Sequence, residues 1–331
     1  MRKTAKILCT ALPVISAAGA AAGLYKLAGY FFNYCLVRTN PGYKAAQNKA
    51  HENLSPKQAA EDFFQEEHLK WFDSQHPQTV HIVSEDSLKL SAYYIPAPKP
   101  TKNFLLAIHG YRCNGREEYA IFSPFYHHDM NFNLLIPDDR AHGRSEGKYI
   151  GFGCLDRKDC LAWCRYITKT FGNDCRIFLH GVSMGASTVL AASGDPALLP
   201  QIKGIIADCG FSRVWDELKY ILKKTYHLPS FPLLNLFDRI CRAKAGYSTK
   251  EYSPIEQVVH SRVPILFIHG DADDFVPTPM AYALYDACAS QDKELWIVHG
   301  AAHARSYYTD QKGYELRVHR FICKHMSSIT A

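Results

Sequence analysis

The sequence lacks the patterns that define nucleic-acid-binding, metal-dependent and repeat proteins. Its formal net charge is +6 at pH 7, but the lysines and arginines are scattered and form no basic stripe among aromatic residues. Nucleic-acid binding is therefore not predicted. There is no HExxH motif, no CxxC pair, no internal repeat and no low-complexity segment. We accordingly predict neither a metal site nor a cofactor.

Cysteine is not scarce, but the 11 cysteines show no spacing typical of a metal site. Cys160 and Cys164 are four residues apart, as on one face of a helix, and no matching His or Cys pair lies nearby. We interpret the cysteines as small apolar residues of the core. Unpaired cysteines are typical of a reducing compartment, which disagrees with the N-terminal pattern.

The N-terminus has the pattern of a membrane anchor. A basic start, "MRKTAK", precedes residues 7–25, which contain no charge, and about 20 apolar residues span a bilayer. The aromatic residues that follow resemble an interfacial belt. We predict an anchor and linker over residues 1–44 and the cell membrane as location, with residues 45–331 outside the cytoplasm. A cleaved, secreted form and a soluble amphipathic arm are the alternatives.

The remainder of the chain alternates between short apolar runs and helical patterns. "TVHIVS" and "LKLSAYYI" predict a hairpin. Six further runs predict buried strands: "NFLLAI", "NLLI", "RIFL", "KGIIA", "PILFI" and "ELWIV". This pattern predicts an α/β fold, a mostly parallel eight-stranded sheet with helices on both faces. Functional residues of such sheets collect where the strands end.

Residues 210–255 interrupt the alternation. They predict two or three short helices, broken at Pro229 and Pro232, with many aromatic residues. We interpret this block as a small helical lid insertion or as a helix pair that covers the core, and the two interpretations are compatible.

Residues 181–185 read G-V-S-M-G between a predicted strand and a predicted helix. This is the context of a nucleophile elbow, in which glycines permit a sharp turn that presents Ser183. A serine nucleophile needs a base, and the base needs an orienting acid, in the chain order Ser, acid, His. The candidate acids are Asp271, Asp273 and Asp274, and the candidate bases are His299 and His303. Spacing alone does not choose among them.

From about Thr79 to the end, the chain resembles the α/β-hydrolase superfamily. It is most similar to the bacterial membrane-anchored serine esterase and serine-aminopeptidase-like branch. The resemblance rests on "HGYRCN", "DDRAHGRSEG", "GVSMGAS", "IADCGF", "HGDADDFVP" and "HGAAHARSY". It implies that Asp273 is the acid and that His303 is the base.

A tetrahedral intermediate needs two hydrogen-bond donors at its oxyanion. We expect one to be the backbone N–H of Met184, directly after the nucleophile, and the resemblance implies that the other is the backbone N–H of Tyr111. His142 and Arg144 belong to a loop that recurs in the family and precedes the nucleophile, and we interpret them as structural support for the site.

We therefore predict a serine hydrolase that cleaves carboxylic esters through an acyl-enzyme, with a small ester or acyl compound as substrate. A peptidase, amidase or thioesterase stays possible, because the triad does not distinguish these substrates. An aminopeptidase would need acidic residues to hold a free amine, and the acidic residues of the lid, Asp216, Glu217 and Asp238, do not decide the matter. A non-catalytic, membrane-tethered binding protein is the alternative from another class. The sequence predicts no oligomeric state.

Overall fold

An eight-stranded sheet organises the chain. The computed structural model describes the backbone of residues 2–39 and 56–326 and the side chains of residues 19–39 and 61–326. The strands are β1 (Gln78–Val83), β2 (Lys89–Ile95), β3 (Asn103–Ile108), β4 (Asn133–Asp138), β5 (Arg176–Val182), β6 (Ile202–Asp208), β7 (Ile265–Gly270) and β8 (Lys293–Val298). Their spatial order is β1-β2-β4-β3-β5-β6-β7-β8. β2 is antiparallel to β1 and β4, and all other neighbours are parallel. The predicted fold class and all eight predicted strands are confirmed.

Alternate residues of each central strand belong to opposite apolar layers, as strand geometry requires. In β3, Leu105 packs in one layer and Leu106 in the other, and both are fully buried. Helices cover both faces, which explains why these strands are apolar throughout.

Twelve helices lie within the described residues. They are α1 (Arg2–Leu36), α2 (Pro56–Ser74), α3 (Gly115–Tyr119), α4 (Asp156–Phe171), α5 (Met184–Ser193), α6 (Val214–Tyr226), α7 (Leu233–Ala245), α8 (Pro254–Val258), α9 (Pro279–Ala287), α10 (Ser306–Thr309) and α11 (Gln311–Met326), with a π-helical turn at Phe125–Asp129. α4 and α5 pack on one face of the sheet, and α11 packs on the other. The helix predicted over residues 45–75 is seen from residue 56, and its earlier part lies outside the described residues.

The segment between β6 and β7 contains α6 and α7, which we call the lid helices. They form a third apolar cluster together with the C-terminal part of α1. Phe32 of α1 is fully buried there, and its ring centroid lies 6.2 Å from that of Phe237 in α7. The prediction that residues 1–44 are an anchor and linker did not foresee this contact, and the domain boundaries stay a prediction.

The predicted aromatic belt divides between two environments. Tyr25 and Tyr30 are 57% and 60% exposed, whereas Phe31 and Phe32 are buried against the lid helices. Nowhere in residues 2–39 and 56–326 does a described helix have both the length and the apolar character needed to cross a bilayer. The side chains of residues 7–18 lie outside the described set, so the membrane anchor stays a prediction.

Most cysteines of the described residues are buried, as small apolar side chains are. All ten in the described ranges are free thiols, and seven of them are buried.

The contact between α1 and the lid helices predicts a large difference between two neighbouring aromatic residues. Truncation of a buried Phe costs about 3 kcal/mol or more, so Phe32→Ala should lower the free energy of unfolding by about that amount. Tyr30→Ala is the control, because a change at an exposed position costs about 0.5 kcal/mol or less. Urea unfolding followed by tryptophan fluorescence measures both, and equal effects of the two substitutions would contradict the packing of α1.

Candidate active site

The turn between β5 and α5 holds Ser183 in a strained conformation. Its φ and ψ are 54° and −114°, a combination that is rarely populated and is found mostly at functional sites. A Cβ atom on Gly181 would overlap the carbonyl group of Gly185, and one on Gly185 would overlap the carbonyl oxygen of Ile108. Both glycines are therefore required by the tight approach of the backbone at this turn.

The structure brings together the three side chains predicted to form the triad. Ser183 Oγ lies 2.8 Å from His303 Nε2, and His303 Nδ1 lies 2.8 Å from Asp273 Oδ2. Ser183 follows β5, Asp273 follows β7 and His303 follows β8, so all three lie at the carboxyl edge of the sheet.

Asp273 is held as an ionised carboxylate. Its Oδ1 accepts hydrogen bonds from the backbone N–H groups of Phe275 (3.0 Å) and Val276 (2.9 Å). Burial alone would raise its pKa, but hydrogen bonds from His269 and His303 hold the pKa of this carboxyl well below its usual value. Because a carboxylate only accepts, Nδ1 of His303 carries the hydrogen. Nε2 is then left as an acceptor that faces the Ser183 hydroxyl.

The other candidate acids and bases lie apart from this group. Asp271 binds the exposed His299, with 2.8 Å between Oδ2 and Nδ1. Asp274 forms an exposed ion pair of 3.1 Å with Lys224. Spacing could not separate these residues from Asp273 and His303, but their exposure does.

The two residues predicted to supply oxyanion donors adjoin the serine. Met184 is the first residue of α5, where backbone N–H groups are not used within the helix. The loop of Tyr111 approaches from β3: a Cβ on the neighbouring Gly110 would lie 3.5 Å from Ser183 Cβ. The Tyr111 side chain has partners within the protein, since its hydroxyl donates to the Cys35 carbonyl (2.8 Å) and its ring stacks on Phe152.

The same loop is tied to the end of α1. Arg112 Nη2 donates to the backbone carbonyls of Tyr34 (2.5 Å) and Val37 (3.1 Å). A cation at this position is favourable, since carbonyl groups at a helix C-terminus lack partners and carry partial negative charge.

His142 and Arg144 have the contacts of supporting residues. His142 Nε2 accepts from the backbone N–H of Arg112 (3.1 Å), and burial holds the pKa of this imidazole well below its usual value. Arg144 Nε donates to Asp138 Oδ2 (3.0 Å), and its guanidinium lies over the Tyr93 ring.

A cavity of about 420 Å³ opens beside Ser183 and His303. Helix α6 supplies much of its wall, and α1 supplies Tyr34 and Cys35. The sequence analysis missed this contribution of α1. The signal was present, because Ala28, Phe31, Phe32 and Leu36 are spaced as one apolar stripe of an amphipathic helix.

One further acidic side chain belongs to the cavity wall. Glu217 of α6 is only 6% exposed, and neither carboxyl oxygen has a hydrogen-bond partner among the described residues. Burial, with a smaller contribution from the charge of Asp273, raises the pKa of Glu217 to about 8. This carboxyl is therefore mainly neutral at pH 7.

Cys209 lies close to Asp273 and His303, with potential ligand atoms of the three within 4.8 Å of one another. A metal requires a thiolate, whereas burial raises the pKa of the Cys209 thiol well above its usual value. The chemistry of this donor set does not fit a metal ion.

The fold defines the class of this protein. The structure is similar to that of the Pyrococcus furiosus esterase Pf2001, with a TM-score of 0.62 and 22% sequence identity over 76% of this chain and 92% of the esterase. An eight-stranded sheet of this order with a serine at the elbow is the α/β-hydrolase fold, and the protein has this fold.

Sequence comparison assigns the family. Residues 152–328 match the model of the prolyl oligopeptidase family. The uncharacterized protein YqkD of Bacillus subtilis is 30% identical over 251 residues, which are 76% of this chain and 81% of YqkD. The uncharacterized membrane protein YNL320W of Saccharomyces cerevisiae is 23% identical over 65% of this chain and 69% of its own length. The chain belongs to the prolyl oligopeptidase family.

The raised pKa of Glu217 predicts a pH-dependent gain in stability for Glu217→Gln. The folded state prefers the protonated carboxyl. Its contribution to the free energy of unfolding is therefore complete below the ordinary pKa of 4.5 and is lost as the pH rises through about 8. Since one pKa unit is about 1.4 kcal/mol, the variant should gain about 3 to 5 kcal/mol relative to wild type between about pH 4 and about pH 9. Urea unfolding across this range is the measurement.

Asp216→Asn is the matched control, because Asp216 is the neighbouring acid of the same helix and its side chain is 46% exposed. Its stability difference from wild type should change little with pH. If the free energy of unfolding changed with pH in the same way for wild type and for Glu217→Gln, the raised pKa would be contradicted.

Proposed function

We propose that the protein hydrolyses carboxylic esters, with Ser183 as nucleophile, His303 as general base and acid, and Asp273 as the group that orients His303. The observation that carries the proposal is the continuous hydrogen-bonded chain from Ser183 Oγ through His303 to Asp273, which lies at the wall of an apolar cavity. The similarity of the fold to an enzyme described as an esterase supports the same reaction.

In the first half of the reaction, Ser183 Oγ attacks the carbonyl carbon of the ester while His303 Nε2 takes the hydroxyl proton. The negative charge that develops on the carbonyl oxygen is stabilised by the backbone N–H groups of Met184 and Tyr111. Asp273 stabilises the imidazolium without becoming protonated itself, which suits its low pKa.

In the second half, His303 gives its proton to the alcohol oxygen, and the bond between this oxygen and the acyl carbon breaks. An acyl-enzyme on Ser183 remains. His303 then removes a proton from water, which attacks the acyl carbon. The bond between this carbon and Ser183 Oγ breaks while His303 returns the proton to Oγ, and the acid is released.

A peptidase or amidase of the same mechanism is the second candidate. The description of the family as that of prolyl oligopeptidase supports it, and the oxyanion donors and the base would act in the same way on an amide. A thioesterase uses the same steps, whereas a non-catalytic binding protein would have no need of the Ser183–His303 contact.

We expect Ser183→Ala and His303→Ala to lower ester hydrolysis by about a thousandfold or more, the range found when triad members are removed. His299→Ala is the matched control, because this imidazole follows the same strand but is 98% exposed and bound to Asp271. Initial rates with short p-nitrophenyl esters measure the effect, and a fluorophosphonate probe reports whether Ser183 is activated. Full activity in either of the first two variants would contradict the proposed mechanism.

We also propose that residues 7–25 attach the protein to the cell membrane, with the hydrolase outside the cytoplasm. The support is the uncharged run after a basic start and the similarity to a protein described as a membrane protein. The full chain should then sediment with membranes and resist extraction by alkaline carbonate.

The exposed Cys323 reports the side of the membrane. A membrane-impermeant maleimide added to intact cells should label wild type more than the control Cys323→Ser. Labelling of Cys323 only after lysis would contradict the proposed orientation, and a chain found in the soluble fraction would contradict the anchor.

A further inference from the structure

The wall of the cavity beside Ser183 contains a polar group that no described side chain satisfies. Its wall is mainly apolar around Glu217: Val214, Leu218 and Ile221 of the same helix line it together with Phe211. Buried polar groups in folded proteins almost always have hydrogen-bond partners, and an unsatisfied one costs about 1 to 3 kcal/mol. A carboxyl left without a partner in this wall therefore calls for a reason.

The usual structural roles of a glutamate do not supply that reason. A glutamate in the first turn of a helix can close a capping box by accepting from the N-cap backbone N–H, but neither oxygen of Glu217 accepts from any described group. The favourable effect of an acid at a helix N-terminus is available from Asp216, which is partly exposed and lies 3.8 Å from Arg213. Glu217 also forms no ion pair with a described residue, unlike the buried acid Asp159, which binds Arg140.

The remaining partner is a group that arrives with the substrate. Glu217 and Ser183 line the same cavity, and both carboxyl oxygens of Glu217 are buried within its wall. A molecule bound for attack by Ser183 extends along this wall, and a rotation of the Glu217 side chain brings a carboxyl oxygen to it. Either protonation state of a carboxyl has an oxygen that accepts a hydrogen bond. A hydrogen-bond donor on the substrate would satisfy it, and an apolar substrate would leave it unsatisfied. Asp273, the acid whose charge reaches Glu217, is already bound by His303 and His269.

We propose that Glu217 is a specificity-determining residue that selects substrates with a hydrogen-bond donor, a hydroxyl or an ammonium group, in the part that the cavity holds. The inference rests on the proposed function, because it takes Ser183 as the reacting group. The other titratable groups that face this cavity are Tyr34, Cys35, Tyr111, Tyr226 and His303.

The test compares straight-chain esters of increasing length that end in a methyl, a hydroxyl or an ammonium group, placed on either the acyl or the alcohol part. Hydrolysis is followed by acid release. For at least one chain length, wild type should show a kcat/KM about tenfold higher for a donor-ended ester than for the methyl-ended ester, the ratio that one added buried hydrogen bond supplies. Glu217→Leu should reverse the preference by slowing the donor-ended ester and accelerating the methyl-ended one. Asp216→Asn, the exposed neighbour, should keep the wild-type ratio.

Glu217→Gln distinguishes the two kinds of donor. The amide oxygen still accepts from a hydroxyl, so a preference for hydroxyl-ended esters should persist in this variant. An ammonium group needs the carboxylate, so a preference for it should disappear in the variant. In wild type the ammonium preference should increase as the pH rises through about 8, the pKa of Glu217.

Binding is measured separately, as the increase in melting temperature that the same esters cause in the inactive variant Ser183→Ala. The measurement is repeated after Glu217→Gln or Glu217→Leu is added to this variant. A donor-ended ester should stabilise Ser183→Ala more than its methyl-ended partner, and Glu217→Leu should abolish the difference. Hydrolysis that depends on Ser183, with ratios that Glu217→Leu and Glu217→Gln leave unchanged, would overturn the inference and leave the proposed function intact. Absence of hydrolysis together with a preserved binding preference would overturn the proposed function and leave the preference for donor-ended ligands intact.

Discussion

The orientation of the His303 imidazole is the constraint on which the arrangement of the site depends. Asp273 accepts from its Nδ1, and this fixes both the plane of the ring and the position of its hydrogen. Two backbone N–H groups and a second histidine hold Asp273 in turn. The hydroxyl of Ser183 therefore faces an acceptor rather than a donor, and this is the only tautomer in which a serine can lose a proton to the ring.

A second constraint is that the space beside Ser183 is enclosed by parts of the chain that are distant in sequence. Helix α6, from the connection between β6 and β7, forms one wall, and α1 contributes to another. Helix α7 packs against both of them. Arg112 joins α1 to the loop that also contains Tyr111. The apolar wall limits access of water, so the few polar groups inside interact more strongly than they would at the surface. This explains why the charge of Asp273 contributes to the pKa of Glu217.

The sheet and the elbow could be predicted from sequence because their signals are local. A strand buried on both faces reads as a continuous apolar run, and the elbow needs two glycines around one serine because no Cβ fits at Gly181 or Gly185.

The signal that identifies the catalytic acid is not local in the sequence. Asp271, Asp273 and Asp274 lie within four positions, and only the folded loop exposes two of them, so the choice required resemblance to known hydrolases. Glu217 was noticed only as one of several lid acids, since its burial arises from packing between elements. In the sequence, Phe31 and Phe32 of α1 resemble an interfacial belt, because the apolar stripe of a packed helix contains the same residue types.

The position of α1 determines what a shortened protein would represent. A fragment that begins after residue 39 is a natural choice for recombinant work on a chain with a hydrophobic start, yet it would lack Tyr34 and Cys35, and Arg112 would lose the carbonyl groups that it binds. The cavity of such a fragment would be open on one side, and the apolar surfaces of α6 and α7 that face Phe31 and Phe32 would meet solvent. Substrate preferences measured on it would describe a wider and wetter pocket than the one that the full chain forms.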